Sequence, residues 1–129
     1  MKVFTLITLL FLSSLIVSCD KEDEEPTPEI SISNITLAET YTVGQAEEIN
    51  VTIIKPTPCH EIEEESATVS ASTYSYYFRL LNNREFCIQV LARDETMSVN
   101  FEPTEAGEHL LNFYIDGELL ETRTVLVTE

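Results

Sequence analysis

The chain has 129 residues, with 23 acidic against 7 basic side chains, a formal net charge of −16 and no tryptophan. That length supports one small domain once a targeting segment is set aside, and so acidic a surface excludes nucleic acid and anionic lipid headgroups as main partners, because both would be repelled. With three glycines and two histidines there is no phosphate-cradling glycine loop and little supply of general bases, so the composition argues against catalysis.

Residues 3–17 form the one long apolar run, behind the single positive charge of Lys2. The run is shorter than the roughly 20 residues a membrane-spanning helix needs, and a charged start with an apolar middle is the pattern of a secretory signal. It ends in Ile16-Val17-Ser18-Cys19: an aliphatic residue, two small or β-branched residues and a cysteine. This resembles the bacterial lipobox. The resemblance implies a lipoprotein signal peptide over 1–18, cleavage before Cys19, and a lipid on Cys19. Lys2 is the only charge removed, so the mature net charge becomes −16 − 1 = −17.

Residues 19–29 read as the lipidated cysteine and a tether. The block Asp20-Lys21-Glu22-Asp23-Glu24-Glu25 repels itself into an extended chain, and Pro26 and Pro28 stiffen its end. Lys21, Glu22 and Asp23, directly after the cysteine, resemble the export signal of Bacteroidota surface lipoproteins; a solvated spacer is the plainer reading of the same charges.

Residues 30–129 carry no capped helical period, and turn residues recur roughly every 8–12 positions, as in a β-sandwich. Ile30 and Ile32 alternate, then the apolar parity shifts to Ile35 and Leu37, which predicts a bulge around Ser33-Asn34. Val43-Gly44-Gln45 is a predicted turn. Ile49, Val51 and Ile53 alternate with Asn50 and Thr52, a half-buried strand that Pro56 and Pro58 end. Residues 59–72 are the least regular, read as an acidic loop around Ile62 followed by a weak strand. From Thr73 the chain is strongly β-prone, with Tyr74, Tyr76, Phe78 and Leu80 on one face and Ser75, Tyr77 and Arg79 on the other.

Asn82-Asn83-Arg84 is a predicted turn, residues 87–92 a strand, and Arg93-Asp94-Glu95 a turn before the alternating Met97, Val99 and Phe101. Pro103 stops that strand and Gly107 opens the next, with His109, Leu111, Phe113 and Ile115 on one parity. Asp116-Gly117 fits a two-residue type I′ hairpin turn, and residues 118–127 return as the last strand. Seven or eight antiparallel strands of this spacing predict a two-sheet sandwich.

Cys59 and Cys87 are the pair left after Cys19. In an oxidising compartment a disulfide is the expected state. A reactive thiol would want an electropositive setting, and Cys87 has only Arg84 nearby in sequence. A structural metal would want more Cys or His ligands than His60 and His109 supply.

Pro103-Thr104-Glu105-Ala106-Gly107 leading into a strand, then Asp116-Gly117 and a closing strand, resembles the last three strands of a bacterial Ig-like domain. With the lipobox, the Pro-containing spacer and the two cysteines, the chain is similar to small single-domain Ig-like surface lipoproteins of Bacteroidota. The resemblance implies an all-β Ig-like antiparallel sandwich over 30–129 in an outer-membrane lipoprotein exposed at the cell surface; its motifs specify no activity. Cys59 and Cys87 depart from the antibody positions, and no Trp packs on them. His109 stands where many such domains carry the tyrosine corner, so that latch is either missing or replaced by an imidazole hydrogen bond.

His60-Glu61-Ile62-Glu63-Glu64 has the start of a zinc-protease helix motif, but Glu64 stands where its second His belongs, and β-type neighbours disfavour a helix. The acidic run there suits a solvated segment, or calcium, for which it lacks the loop spacing. Tyr74, Tyr76 and Phe78 on one parity predict either a core stripe or an aromatic platform, and cores are the commoner outcome. Tyr77, opposite, is the better exposed contact; Tyr74 and Tyr77 are the candidate binding residues. The expected function is a non-catalytic, lipid-anchored module that binds a protein or glycan, with a structural subunit of an outer-membrane complex as the alternative. No metal or cofactor is expected, and the membrane is reached only through the lipid.

Overall fold

The computed structural model describes residues 29–82 and 93–129. In chain order the strands are β1 (Ser31–Thr36), β2 (Tyr41–Thr42), β3 (Glu47–Ile54), β4 (His60–Ser70), β5 (Thr73–Asn82), β6 (Asp94–Phe101), β7 (Gly107–Ile115) and β8 (Glu118–Thr128). They form a three-stranded sheet, β1-β3-β6, and a five-stranded sheet, β2-β8-β7-β5-β4. The all-β, two-sheet expectation therefore holds.

Alternation decides which side chains fill the space between the sheets. Ile49, Val51 and Ile53 of β3, Val99 and Phe101 of β6, Tyr74, Tyr76 and Phe78 of β5, and Leu111, Phe113 and Ile115 of β7 are all buried. Fully burying one such side chain contributes about 1.5–3 kcal/mol, which is why a period of two fixes each strand's facing. Phe101 is packed edge-on by Tyr41 and Tyr74, with ring centroids 4.9 and 4.7 Å away. Tyr76 stacks on Phe113 at 5.4 Å. The bulge expected near Ser33-Asn34 lies there, where the β1–β3 register shifts between Ile32 and Asn34.

Two of the local turns are legible in their backbone angles. Asp116 and Gly117 both have positive φ, 50° and 83°, as a type I′ hairpin requires, and Asp116 Oδ1 accepts the Leu80 N–H at 3.1 Å. The β4–β5 hairpin closes over Ala71-Ser72 between the paired Ser70 and Thr73. Ala71 has φ of 52°, a left-handed conformation that costs an L-residue roughly 1 kcal/mol and that glycine adopts freely.

Three expectations are corrected. The sandwich is not purely antiparallel: β2 pairs parallel with β8, and β5 parallel with β7. The second pairing arises because β5, not β4, lies beside β7; the chain reaches β7 from β5 by way of β6 in the other sheet, a crossover of the kind parallel strands need. The acidic stretch after Cys59 is a strand, not a loop, since residues 61–65 belong to the eleven-residue β4, which pairs with β5 along its length. Ile62 turns inward and is 6 % exposed, while a bulge between Glu64 and Ser66 absorbs Glu65. Charges and a bulge are what a terminal strand tolerates best. Finally, β6 begins at Asp94, where a turn was expected. The strand expected over 87–92 and the turn at Asn83-Arg84 lie outside the described residues.

The parity of the last strand is settled by another bulge. Between Phe113/Tyr114 and their partners the register skips Leu120, so Leu119 shares the outward face with Leu126 while Val125 and Val127 are buried.

Candidate functional site

Most buried polar groups of the domain are hydrogen-bonded within the core. Tyr76 Oη donates to the Asn100 carbonyl at 3.0 Å and Tyr74 Oη to the Glu102 carbonyl at 3.1 Å, two bonds that cross from the five-stranded sheet to β6 and the residue after it. Tyr41 Oη accepts the Ala38 N–H at 3.0 Å. Burial pushes all three phenols above the ordinary tyrosine range; at Tyr41 and Tyr74 a backbone hydrogen bond partly offsets it. These are satisfied core tyrosines.

His109, 3 % exposed, lies against Tyr74 and Phe101. Its Nε2 is 2.8 Å from the Glu105 carbonyl; a carbonyl only accepts, so Nε2 is the donor of that bond. Nδ1 is buried with no partner among the described residues. An imidazole thus ties the start of β7 back to the chain four residues upstream. His60 Nδ1 is 2.8 Å from Thr57 Oγ1, and it sits on a strand, so the helix face that a zinc motif needs does not exist. Lys55, 8 % exposed, pairs with Glu95 at 3.1 Å and closes the β3 and β6 ends, helped by Arg93 Nε donating to the Lys55 carbonyl. No group of three His, Cys, Asp or Glu side chains is arranged to hold a metal among the described residues.

The surface that stands apart is the outward face of the five-stranded sheet. Registers across β4, β5, β7 and β8 arrange it in three rows. The first runs Ser70, Thr73, Leu110, Thr124; the second Thr68, Ser75, Asn112, Thr122; the third Ser66, Tyr77, Tyr114, Leu119. None of these twelve positions is charged, in a chain with 23 carboxylate side chains. Charged residues begin at the rims, with Glu108 at one end and the exposed pair Arg79–Glu63, 3.6 Å apart, at the other. Tyr77 and Tyr114 stack at 4.7 Å with their planes 17° apart. Both are half-buried, and Leu110 and Leu119 beside them are 42 % and 48 % exposed. In the middle row Thr122 Oγ1 donates to Asn112 Oδ1 at 2.9 Å. Asn112 Nδ2 and the Ser75 hydroxyl have no protein hydrogen-bond partner among the described residues.

Of the residues singled out from sequence, Tyr77 is on this face. Tyr74 is not: at 5 % exposure and bonded to Glu102 it belongs to the core, because it shares a parity with Tyr76 and Phe78. Cys59 is one half of a disulfide; Cys87, its expected partner, lies outside the described residues, as do Cys19, Lys21, Glu22 and Asp23. Sequence reading missed Tyr114 and Asn112. Their signal was present in the parity opposite Leu111 and Phe113, but their meeting with Tyr77 depends on β5 lying beside β7. No family model, curated protein or solved structure matches this chain.

Proposed function

We propose that the chain is a non-catalytic, lipid-anchored binding or accessory module at the outer face of the outer membrane, engaging a protein or a glycan. The observation that carries this reading is the half-exposed Tyr77–Tyr114 stack on an uncharged sheet face, since an acidic domain gains nothing in solubility from leaving aromatic area in water. Residues 1–18 serve as signal peptide, Cys19 bears the lipid, residues 19–29 are the tether with Lys21, Glu22 and Asp23 as export signal, and 30–129 form the domain. We read that domain as an Ig-like variant of Bacteroidota lipoprotein type. Support comes from the β1-β3-β6 sheet, the short β2 that leaves to pair with β8, and the His109 latch; the insertion of β5 between β4 and β7 is its departure.

The tether fits the geometry. Ser31 pairs with Ile54 and Ile54 with Asp94, so the chain enters at the end of the sandwich that holds Lys55, Cys59 and the Asp116-Gly117 hairpin. Ten residues, 20–29, could reach at most about 35 Å at full stretch, a length that would let the lipid hold that end over a membrane.

A second reading is supported by β4, the terminal strand of its sheet among the described residues. Its last four residues, Ala67-Thr68-Val69-Ser70, carry no charge, and Val69 is 60 % exposed, which suits edge pairing in an assembly subunit.

The reading is tested on the full chain in a Bacteroidota host. Cys19→Ala should release the protein from membranes, since the multiple acyl chains of a lipoprotein provide the stable hold. Joint replacement of Lys21, Glu22 and Asp23 by Ala should leave it membrane-bound yet shielded from external protease. Wild-type membrane retention of the Cys19 variant would refute the anchor, and unchanged protease access of the triple variant would reduce the tract to a spacer.

A further inference from the structure

We propose that the outward face of the five-stranded sheet binds an uncharged glycan lying across the strands, along the row of Ser75 and Asn112 and against the Tyr77–Tyr114 stack. The inference rests on the binding-module reading above and names the ligand class of that module.

Three features of the face converge on this chemistry. Its middle row supplies a polar floor: Ser75, 9 % exposed, lies between Thr73 and Tyr77 on β5, beside Asn112 on β7. Along its floor the Ser75 hydroxyl and Asn112 Nδ2 offer hydrogen bonds that the protein itself does not use, and Asn112 is held in place by Thr122. Its wall is aromatic. In a stacked pair each ring keeps one face and an edge for a ligand, and Ser66, beside Tyr77 in the third row, is too small to cover that ring. A sugar presents apolar C–H groups to such a wall and hydroxyls to such a floor.

Charge chooses among ligands. An acidic polysaccharide would be repelled by a mature net charge of −17 (−16 less Lys2). A basic peptide would favour carboxylates, and the face has none. Size favours a small ligand over a second copy: with strands about 4.8 Å apart and rows about 6.7 Å apart, the uncharged tile measures roughly 14 by 13 Å, or about 200 Å² in plan. A stable protein interface takes about 800 Å² per partner. A short stretch of sugar chain fits within the tile, whereas a protomer would have to extend onto the charged rims.

The test uses the full-length protein in mild detergent, run through native gels containing xyloglucan, galactomannan, glycogen or dextran, with alginate and polygalacturonate as acidic controls. At least one neutral polymer should retard it, equally at low and high salt, and neither acidic polymer should. Tyr77→Ala and Tyr114→Ala should each weaken that retardation about tenfold, Asn112→Ala several-fold, and Tyr77→Phe, which keeps the ring, hardly at all. Unchanged melting of the Ala variants serves as the folding control, and Tyr77→Phe reports on the ring where an Ala variant fails to fold. Absence of retardation by every neutral polymer, retardation by the acidic ones, or full binding by a folded Tyr77→Ala protein overturns the proposal. So does a dimer in sedimentation that Tyr77→Ala dissociates, which would give the face to a second copy. A protein that stays lipid-anchored and protease-accessible yet binds no polymer sinks the glycan proposal alone; loss of anchorage and surface access sinks the module reading.

Discussion

Replacing Tyr76 by Phe removes one oxygen from the centre of the sandwich and leaves the ring, its rotamer and its stack on Phe113 in place. What is lost is the 3.0 Å bond to the Asn100 carbonyl, the tie between β5 and β6 across the core. A buried hydrogen bond contributes about 0.5–1.5 kcal/mol net, and a carbonyl left without its donor costs up to roughly 1–3 kcal/mol, so the variant should be less stable by about 1.5 kcal/mol near neutral pH. The difference should then depend on alkalinity. Burial raises the Tyr76 phenol above its ordinary value of 10.0, so the folded protein holds this proton more tightly than the unfolded chain does. Its contribution is therefore complete below about pH 10 and is lost as pH rises from there toward the folded value, because the unfolded tyrosine ionises first. At pH 11 the unfolded side chain gains about 1.4 kcal/mol from ionising, a term the Phe variant lacks, while the contributions of Tyr41 and Tyr74 are common to both proteins and cancel. Urea unfolding followed by near-UV circular dichroism at pH 8 and pH 11 would measure the gap, which should shrink from about 1.5 kcal/mol to near zero. A gap that stays constant between the two pH values, or no gap at pH 8, would refute the reasoning.

Two further outcomes can be measured on the same unfolding curves. Ala71→Gly, at the left-handed first position of the β4–β5 hairpin, should stabilise the domain by about 0.5–1 kcal/mol and raise the melting temperature by several degrees; a fall in stability would mean that the turn does not hold that conformation in solution. Non-reducing peptide mapping should recover a linked Cys59–Cys87 peptide, and reduction should cost roughly 3–4 kcal/mol by the loop-closure argument. A free Cys87 thiol in envelope-derived protein would refute that pairing.

Local pattern and long-range packing divide the chain between them. Alternation is a property of a few consecutive residues, so Ile49-Val51-Ile53 and Leu111-Phe113-Ile115 declared their buried faces directly, and Asp116-Gly117 declared its hairpin through the two positive φ angles that such a turn demands. The bulge at Ser33 was visible as a change of parity. The acidic stretch of β4 was not readable as a strand, because four glutamates around one isoleucine bury almost nothing by themselves; pairing with β5 organises them, and that pairing is set by a two-residue turn at Ala71-Ser72 with no glycine in it to announce it.

Tyr74 and Tyr77 could be assigned to opposite faces by sequence, and only the tertiary structure showed that Tyr74 closes onto Glu102 in the core. The candidate site depends still more on packing. Tyr77 and Tyr114 are 37 residues apart (114 − 77) and meet because β5 lies between β4 and β7, an order that no local pattern encodes. The skipped Leu120 then brings Leu119 to the same row. Sequence determined which side chains turn inward on the regularly alternating strands β3, β5, β6 and β7, because that is fixed by a two-residue period; the facing of β4 and β8, and which strands become neighbours and so which outward side chains form one surface, was decided by how the two sheets bury their inward faces together.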